Sequence, residues 1–296
     1  MKKEQSEEIA LKFIAVLEQG IVPWKKPWSP CVGIPLRNAI SKRPYRGINT
    51  MILGLEQMVH GYTSPEWTTY KAAAAAGGQV RKGEKGTHIV FWKPMKVEDK
   101  ETGKEKSVLL ARLYTVFCTD QIDGMDFVPP VIDSEPVAVP DALAAIYTGY
   151  KDGPRLIHVD QDAAFYRPST DTVSLPRLEQ FSTVEGYAET YCHELTHSTG
   201  HASRLGRFEV GDHYNQDKYA KEELVAEIGA SMLMQHAGID PDMPQMASYV
   251  ANWLKALNDD HSLIIKAAQA AQKSTDLILG NSHVEVEGSQ AQGVTA

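Results

Sequence analysis

The stretch His193-Glu194-Leu195-Thr196-His197 decides how the second half of this chain folds. It is an HExxH motif, and residues four apart on a helix lie one turn apart on the same face. The two imidazoles can therefore bind a single cation. Glu194 lies beside them, where its carboxylate can act as a general base toward a water molecule at the metal. We predict a metal-binding helix with His193 and His197 as ligands and Glu194 as the catalytic residue.

The residues around the motif support a helix. Residues 181–192 carry aromatic and apolar side chains at helical spacing, as a buried helical face requires. Gly200 follows the motif, and glycine suits the left-handed position that often ends a helix. A structured helix with a defined end favours a metal site over a chance match on an exposed surface.

A third protein ligand is expected, because catalytic zinc sites usually have three protein ligands and one open position. The arrangement HExxHxxGxxH is excluded, since Ser203 occupies the place of its third histidine. The other arrangement takes a carboxylate from a following helix, which we predict from Lys218 to His236. Glu223 and Glu227 lie one turn apart on it.

The spacing of these two glutamates suggests their roles. Glu227 lies among apolar residues, where a carboxylate without a partner is unfavourable. The layout is typical of gluzincins, so we assign Glu223 as the third ligand and Glu227 as a residue that orients a ligand histidine. The reversed assignment stays open, as does an ordinary acidic stripe led by Glu222. The expected ion is Zn²⁺, with Mn²⁺ as the alternative.

Composition places the chain among ordinary globular proteins. Its 296 residues are 43% apolar and 23% charged, which is enough for two modest domains. The charged amino terminus lacks the apolar segment of a secretory signal, and no stretch predicts a membrane span or a membrane partner. Three widely separated cysteines predict free thiols in a reducing compartment. We expect a cytoplasmic protein.

The charge is divided unevenly along the chain. Residues 1–96 contain 15 Lys and Arg against 7 Asp and Glu, whereas the remainder contains 15 against 31. Four of the five tryptophans lie in the basic part. A basic part joined to an acidic part predicts two domains with different partners.

The predicted fold class is α+β, with two domains. A small α/β amino-terminal domain covers residues 1–126, a Pro-rich linker covers 127–140, and a mostly helical domain with a short β-sheet covers 141–279; residues 280–296 are expected to be disordered. Helices are predicted at 6–19 and 49–60, and another starts at Ser64-Pro65 and ends at Gly77-Gly78. Strands are predicted at 88–94, 108–118, 155–160 and 163–176.

The basic domain has the two ingredients of single-stranded nucleic-acid binding, which are cations for the backbone and aromatic rings for base stacking. Taken singly, Trp24 and Trp28 are better explained as core anchors, and the turn from Arg81 to Gly86 is compatible with an ordinary solvated hairpin. Their concentration in one domain favours binding of single-stranded DNA through backbone and stacking contacts, with little sequence readout. The predicted DNA-binding residues are Trp24, Lys25, Lys26, Trp28, Arg43, Tyr45, Arg46, Asn49, Arg81, Lys82 and Lys85.

From residue 7 to residue 277 the chain resembles the ArdC-type antirestriction proteins of conjugative plasmids. In the front domain the resemblance rests on residues 21–28, Arg43-Pro44-Tyr45-Arg46-Gly47-Ile48-Asn49 and residues 78–87. In the back domain it rests on Ala164-Phe165-Tyr166, residues 193–200, Ser203-Arg204-Leu205 and residues 222–227.

This resemblance implies an amino-terminal domain that binds single-stranded DNA and a carboxy-terminal zincin-like domain. It also implies that the protein shields incoming plasmid DNA from the restriction enzymes of the recipient. The alternative function is a DNA-tethered zinc metallopeptidase that inactivates a host protein, such as a restriction enzyme. His213 or Tyr214 could stabilise the oxyanion there, although their position is better explained by an ordinary surface loop. A third possibility is an accessory protein that binds another nucleic acid.

Overall fold

The computed structural model describes residues 3–24, 34–98, 105–128, 137–208, 216–240 and 247–281. The chain forms two compact units. Unit 1 comprises Met1–Gln5, Trp28–Val131 and His283–Ala296, and unit 2 comprises Ser6–Pro27 and Ile132–Ser282. The boundary between Val131 and Ile132 lies inside the predicted linker. The predicted tail lies outside the described residues from residue 282 on.

The first part of the chain forms one helix and then the elements of a small mixed α/β unit. In chain order these are α1 (Lys3–Leu17), β1 (Arg37–Asn38), α2 (Ile48–His60), β2 (Glu66–Thr68), α3 (Tyr70–Ala75), β3 (Gln79–Val80), β4 (Thr87–Glu98), β5 (Glu105–Cys118) and β6 (Ile122–Asp123). Four strands form a sheet in the order β1-β2-β5-β4, and β3 pairs with β6. The long antiparallel ladder of β4 and β5 runs from Thr87 opposite Val116 to Glu98 opposite Glu105.

The helix predicted to start at Ser64-Pro65 is wrong, because strand β2 occupies this position. Trp67 is fully buried and lies opposite Cys118 of β5, and the Ser64 hydroxyl accepts a hydrogen bond from the Glu66 amide. Helix α3 begins only at Tyr70, after Thr69 caps it by accepting a hydrogen bond from the Ala72 amide. Strand pairing and burial of Trp67 outweigh the local start signal.

Unit 2 is mostly helical, as predicted. After the linker its elements are α4 (Val139–Gly149), β7 (Arg155–Val159), β8 (Phe165–Arg167), β9 (Thr172–Pro176), α5 (Val184–Ser198), α6 (Gln216–Ala237), α7 (Ala247–Asp259) and α8 (Leu263–Ile278). The sheet has the order β7-β9-β8, with β7 parallel and β8 antiparallel to β9. Helix α5 buries Tyr191, Cys192 and Leu195 in the core of the unit, so its motif histidines face the other way.

The segment Ser6–Pro27 groups with unit 2, whereas the prediction from the sequence places it in the domain of residues 1–126. From Ser6 on, helix α1 clusters with unit 2, and Phe13 and Leu17 are buried. Trp24 is fully buried, and its ring packs edge to face against Trp253 with centroids 5.2 Å apart. Burial of these apolar side chains favours packing of the segment into unit 2, whatever its net charge.

Helices α5 and α6 approach closely at Gly229. A Cβ atom at this position would lie closer than 3.0 Å to the methyl group of Thr196 and 2.8 Å from its hydroxyl oxygen. Glycine therefore allows the two backbones to come together. This contact places the acidic face of α6 against the motif face of α5.

Two general expectations can be compared with the described residues. No helix among them has the length and apolar content needed to cross a membrane. Cys118 and Cys192 are free and buried, and burial raises the pKa of each thiol to about 12. Cys31 lies outside the described residues.

We predict that Gly229→Ala destabilises the protein by about 1–3 kcal/mol, because the added Cβ overlaps Thr196. Urea unfolding monitored by circular dichroism measures the change. Gly149→Ala is the control, since its Cβ would lie 3.8 Å from the nearest atom, the Ile278 carbonyl oxygen. Adding Thr196→Ala to Gly229→Ala should recover part of the loss. Wild-type stability of Gly229→Ala would show that the helices are not held this closely.

Candidate functional site

Helix α5 presents the motif histidines to a cavity. Thr183 caps the helix by accepting a hydrogen bond from the Gly186 amide. The rings of His193 and His197 are nearly perpendicular, with centroids 4.6 Å apart. Their Nε2 atoms lie 3.0 Å from each other, so both nitrogens face one point.

Helix α6 brings two carboxylates to this point. The Glu223 oxygens lie 3.3 Å from His197 Nε2 and 3.6 Å from His193 Nε2. Ligand atoms of His193, His197 and Glu223 all lie within 4.8 Å of one another. Glu227 lies on the other side of the ring, with Oε1 3.3 Å from His193 Nδ1. Glu223 thus has the position of a ligand and Glu227 that of an orienting residue.

The charges of the site favour a cation. Burial alone would lower the pKa of both histidines. Hydrogen bonds with Glu223 and Glu227 outweigh this effect and raise the pKa of His193 well above 6.5. Similarly, Glu222 and Glu223 raise the pKa of His197 to about 9. Burial would raise the pKa of Glu223, but its two histidine partners lower it. Two imidazoles and a carboxylate in such a field fit a divalent ion.

Glu194 lines the same cavity, which has a volume of about 550 Å³. The glutamate is only 8% exposed, and the cavity is also lined by aromatic residues, among them Phe165, Tyr166 and Phe208. The structure therefore brings together the four residues that the motif and its third ligand predict. His213 and Tyr214, predicted to stabilise an oxyanion, lie outside the described residues.

Two residues of the site were missed from the sequence, namely Glu222 and Arg207. Glu222 Oε1 lies 3.3 Å from His197 Nδ1. Arg207 binds both oxygens of Glu222, with Nη2 2.7 Å from Oε1 and Nε 3.0 Å from Oε2. Glu222 was visible only as part of an acidic stripe, and no spacing rule connects Arg207 with the motif.

Helix α5 does not end at a left-handed glycine, as the sequence predicted for Gly200. The backbone of Gly200 is not left-handed; instead, a Cβ there would lie 2.7 Å from the Phe208 ring. The Arg204 guanidinium donates to the Ser198 carbonyl oxygen and pairs with both oxygens of Asp171. This pairing holds the pKa of Asp171 below its usual value. Arg204 thus connects the end of α5 to the turn between β8 and β9.

Several predicted DNA-binding residues have structural roles. The prediction that Trp24 stacks on a base is corrected, because the Trp24 ring is fully buried. Asn49 is buried, and its side chain bonds both the amide and the carbonyl oxygen of Val90 at 2.7 Å. The Tyr45 hydroxyl donates to the Trp67 carbonyl oxygen, and burial raises its pKa to about 12. Arg81 forms ion pairs with Glu84 and Asp123.

The other predicted DNA-binding residues differ in exposure. Arg43, Lys82 and Lys85 are exposed, and Arg46 is half-buried. Lys25, Lys26 and Trp28 lie outside the described residues.

A groove of unit 1 combines exposed cations with an aromatic pair. It has a volume of about 480 Å³, and Tyr70, Arg81, Lys82 and Phe117 contribute to its lining. Tyr70 is 52% exposed and packs edge to face on Phe117, with centroids 6.4 Å apart. The sequence analysis did not single out Tyr70, because it lies in none of the basic clusters and its single basic neighbour, Lys71, is followed by a run of alanines.

Comparison with known proteins matches both units. Residues 3–117 match the family described as the N-terminal domain of anti-restriction factor ArdC, and residues 151–270 match a zincin-like metallopeptidase family. The metal-free crystal structure of the antirestriction ArdC protein of plasmid R388 is 41% identical, with a TM-score of 0.76 over 92% of this chain and 96% of that one. This chain belongs to the ArdC family. Both the predicted family and the two-domain architecture are confirmed.

Further relatives of this ArdC family member differ widely in length. The Mn(II)-bound structure of the same plasmid protein is 39% identical, with a TM-score of 0.77 over 93% of this chain and 97% of that one. A DNA primase TraC of Escherichia coli is 40% identical over 99% of this chain, which spans only 28% of the primase. The uncharacterised protein y4eC of Sinorhizobium fredii is 32% identical over 91% of this chain and 90% of its own length.

We predict that Glu223→Gln weakens Zn²⁺ and Mn²⁺ binding more than Glu227→Gln does. Glu223 faces the Nε2 atoms of both histidines, whereas Glu227 faces Nδ1 of His193. Loss of an orienting residue typically costs about 10- to 100-fold in metal affinity, and loss of a ligand should cost more. Competition with a chelator measures both variants, with Glu185→Gln in the first turn of α5 as the control. A larger loss for Glu227→Gln would reverse the assignment.

Proposed function

We propose that this protein is an antirestriction protein that binds single-stranded DNA through unit 1 and carries a divalent-metal centre in unit 2. One observation carries the proposal, which is its similarity to the antirestriction ArdC protein over almost the full length of both chains. We further propose that it acts in the cytoplasm, where incoming plasmid DNA meets restriction enzymes.

The groove lined by Tyr70 and Lys82 supports the binding of single-stranded DNA. Such proteins stack bases on aromatic rings and neutralise phosphates with Lys and Arg. Tyr70 offers an exposed ring, and Lys82 and Lys85 are exposed cations in the turn that leads into β4. Arg81 contributes less, because Glu84 and Asp123 already engage its guanidinium. The basic segment of residues 1–96 supplies long-range attraction for DNA.

Protection then follows from occupancy. A strand bound along unit 1 is not available to a restriction enzyme or to the complementary strand that creates its duplex site. Contacts to phosphates and base faces carry little sequence information, so one protein can cover many DNA sequences. A shield against restriction needs this breadth.

His193, His197 and Glu223 would hold the metal of unit 2, for which we propose Zn²⁺ or Mn²⁺. Their three donor atoms converge, and the carboxylates around them supply the negative field that a divalent ion requires. In the shielding function the ion would join α5 to α6 and stabilise the folded unit.

The DNA groove can be tested with a labelled oligothymidine in fluorescence anisotropy. We expect Tyr70→Ala to weaken binding by about 1–3 kcal/mol through lost stacking, while Tyr70→Phe keeps the affinity. Replacing Lys82 and Lys85 by alanine should reduce the slope of log affinity against log salt by about 0.7 for each lost phosphate contact.

Lys151→Ala, an exposed lysine of unit 2, is the control for charge. Wild-type affinity and salt dependence in both groove variants would place DNA elsewhere on the protein. A duplex competitor that displaces the oligothymidine at equal concentration would argue against single-strand preference.

A second function, peptide-bond hydrolysis, is favoured by the position of Glu194. Its carboxylate lines the cavity beside His193 and His197, although a purely structural metal site has no need of it. In this function Glu194 would accept a proton from the attacking water and pass it to the leaving amine. The divalent ion, when bound, would supply the Lewis acidity that polarises the peptide carbonyl. The substrate would be a host protein, such as a restriction enzyme.

We expect Glu194→Gln to protect an unmodified plasmid as well as wild type does during transfer into a restricting host. DNA covering does not use the Glu194 proton, and the substitution keeps the size of the side chain and all three ligands. Transfer frequency at matched protein level and metal content is the measurement, and Tyr70→Ala is the variant expected to lose protection. Loss of protection by Glu194→Gln with metal still bound would instead favour a catalytic role of the site.

A further inference from the structure

The Arg207 side chain fills a polar site where helices α5, α6 and α8 meet. Besides both oxygens of Glu222, it binds the Thr199 hydroxyl at 2.7 Å, the Ser274 hydroxyl at 3.0 Å and the Thr196 carbonyl oxygen at 3.1 Å. The Thr199 hydroxyl in turn donates to Ser274 Oγ at 2.8 Å. A planar guanidinium held at several points has one orientation, and so does the carboxylate that it binds through two parallel bonds.

Glu222 in turn contacts the ring of His197. Its Oε1 atom, fixed by Arg207 at 2.7 Å, lies 3.3 Å from His197 Nδ1. An Nδ1–H that donates to this carboxylate leaves the Nε2 lone pair directed at Glu223 and at the Nε2 atom of His193. His193 has a different partner, since its Nδ1 atom faces Glu227. The two ligand histidines are therefore oriented by two separate carboxylates.

We infer that Arg207 and Glu222 form a positioning pair that fixes the ring and the tautomer of His197 for metal binding. Neither residue is a ligand: Arg207 acts through Glu222, and Glu222 acts through Nδ1. The pair also connects the loop after α5 to α6 and α8, so the geometry of His197 depends on three parts of unit 2. The inference rests on the proposed metal site of His193, His197 and Glu223, but it holds whether that site is structural or catalytic.

A purely structural salt bridge is the competing explanation, and Ser274 separates the two. Ser274→Ala removes a hydrogen bond of Arg207 Nη1 that involves neither Glu222 nor His197, so it should lower the melting temperature and leave metal affinity within about twofold of wild type. Glu222→Ala removes the partner of His197, and it should weaken Zn²⁺ and Mn²⁺ binding by about 10- to 100-fold. Chelator competition well below the melting temperatures of all variants measures this difference.

Two further readouts report on position independently of stability. In the Co²⁺-loaded protein, Glu222→Ala should shift the visible absorption bands, whereas Ser274→Ala should leave them unchanged. In the Zn²⁺-loaded wild type, nitrogen-detected NMR of the histidine rings should show a proton on Nδ1 of His197. Arg207→Lys should recover part of the affinity that Arg207→Met loses, because an ammonium group still binds Glu222.

The outcomes distinguish the inference from the site on which it rests. Wild-type affinity and spectra in Glu222→Ala overturn the positioning pair while the metal site stands. An equal loss of affinity in Ser274→Ala and Glu222→Ala also overturns it, because the effect would then come from stability alone. Failure of wild type to bind Zn²⁺ or Mn²⁺ any better than His193→Ala overturns the metal site and the positioning pair together.

Discussion

The close contact of α5 and α6 is the constraint on which the candidate metal site depends. Thr196, next to the second motif histidine, meets α6 at Gly229, where a side chain would not fit. Helices usually lie 8–10 Å apart, and the smallest residues allow the nearest approach. Glu223 reaches both histidines because the helices are close. If the helices moved slightly apart, its contacts of 3.3 and 3.6 Å would lengthen.

This close approach brings several buried carboxylates together between the two helices. Glu194, Glu223 and Glu227 are each less than 9% exposed, and Glu222 lies beside them. Buried carboxylates are unfavourable unless cations or hydrogen bonds compensate them. Arg207 compensates Glu222, and the two histidines share the remaining charge. A divalent ion would complete the compensation, and because it would bind only the assembled unit, it would also stabilise the fold.

The sequence predicts which residues lie together in the candidate metal site better than it predicts the residues that hold them in place, and the reason is the range of the interactions. His193, Glu194 and His197 lie on one helix, so helical geometry alone relates them. The pairing with α6 follows from the known layouts of such sites. Arg207 comes from a loop whose path depends on the packing of Phe208 and Arg204, and no periodicity encodes that path. The helix predicted at Ser64 fails similarly, because the pairing of β2 with β5 is a long-range contact.

The nucleic-acid surface shows what charge and composition can and cannot predict. The basic character of the front segment is a property of the sequence and needs no fold. Which ring can stack depends on burial, and here Trp24 lies inside unit 2 while Tyr70 is half exposed. Likewise Arg81 is engaged by two acids, whereas Lys82 beside it is exposed. Residue type suggests which side chains could contact nucleic acid, but exposure and ion pairing in the folded chain decide whether they can do so.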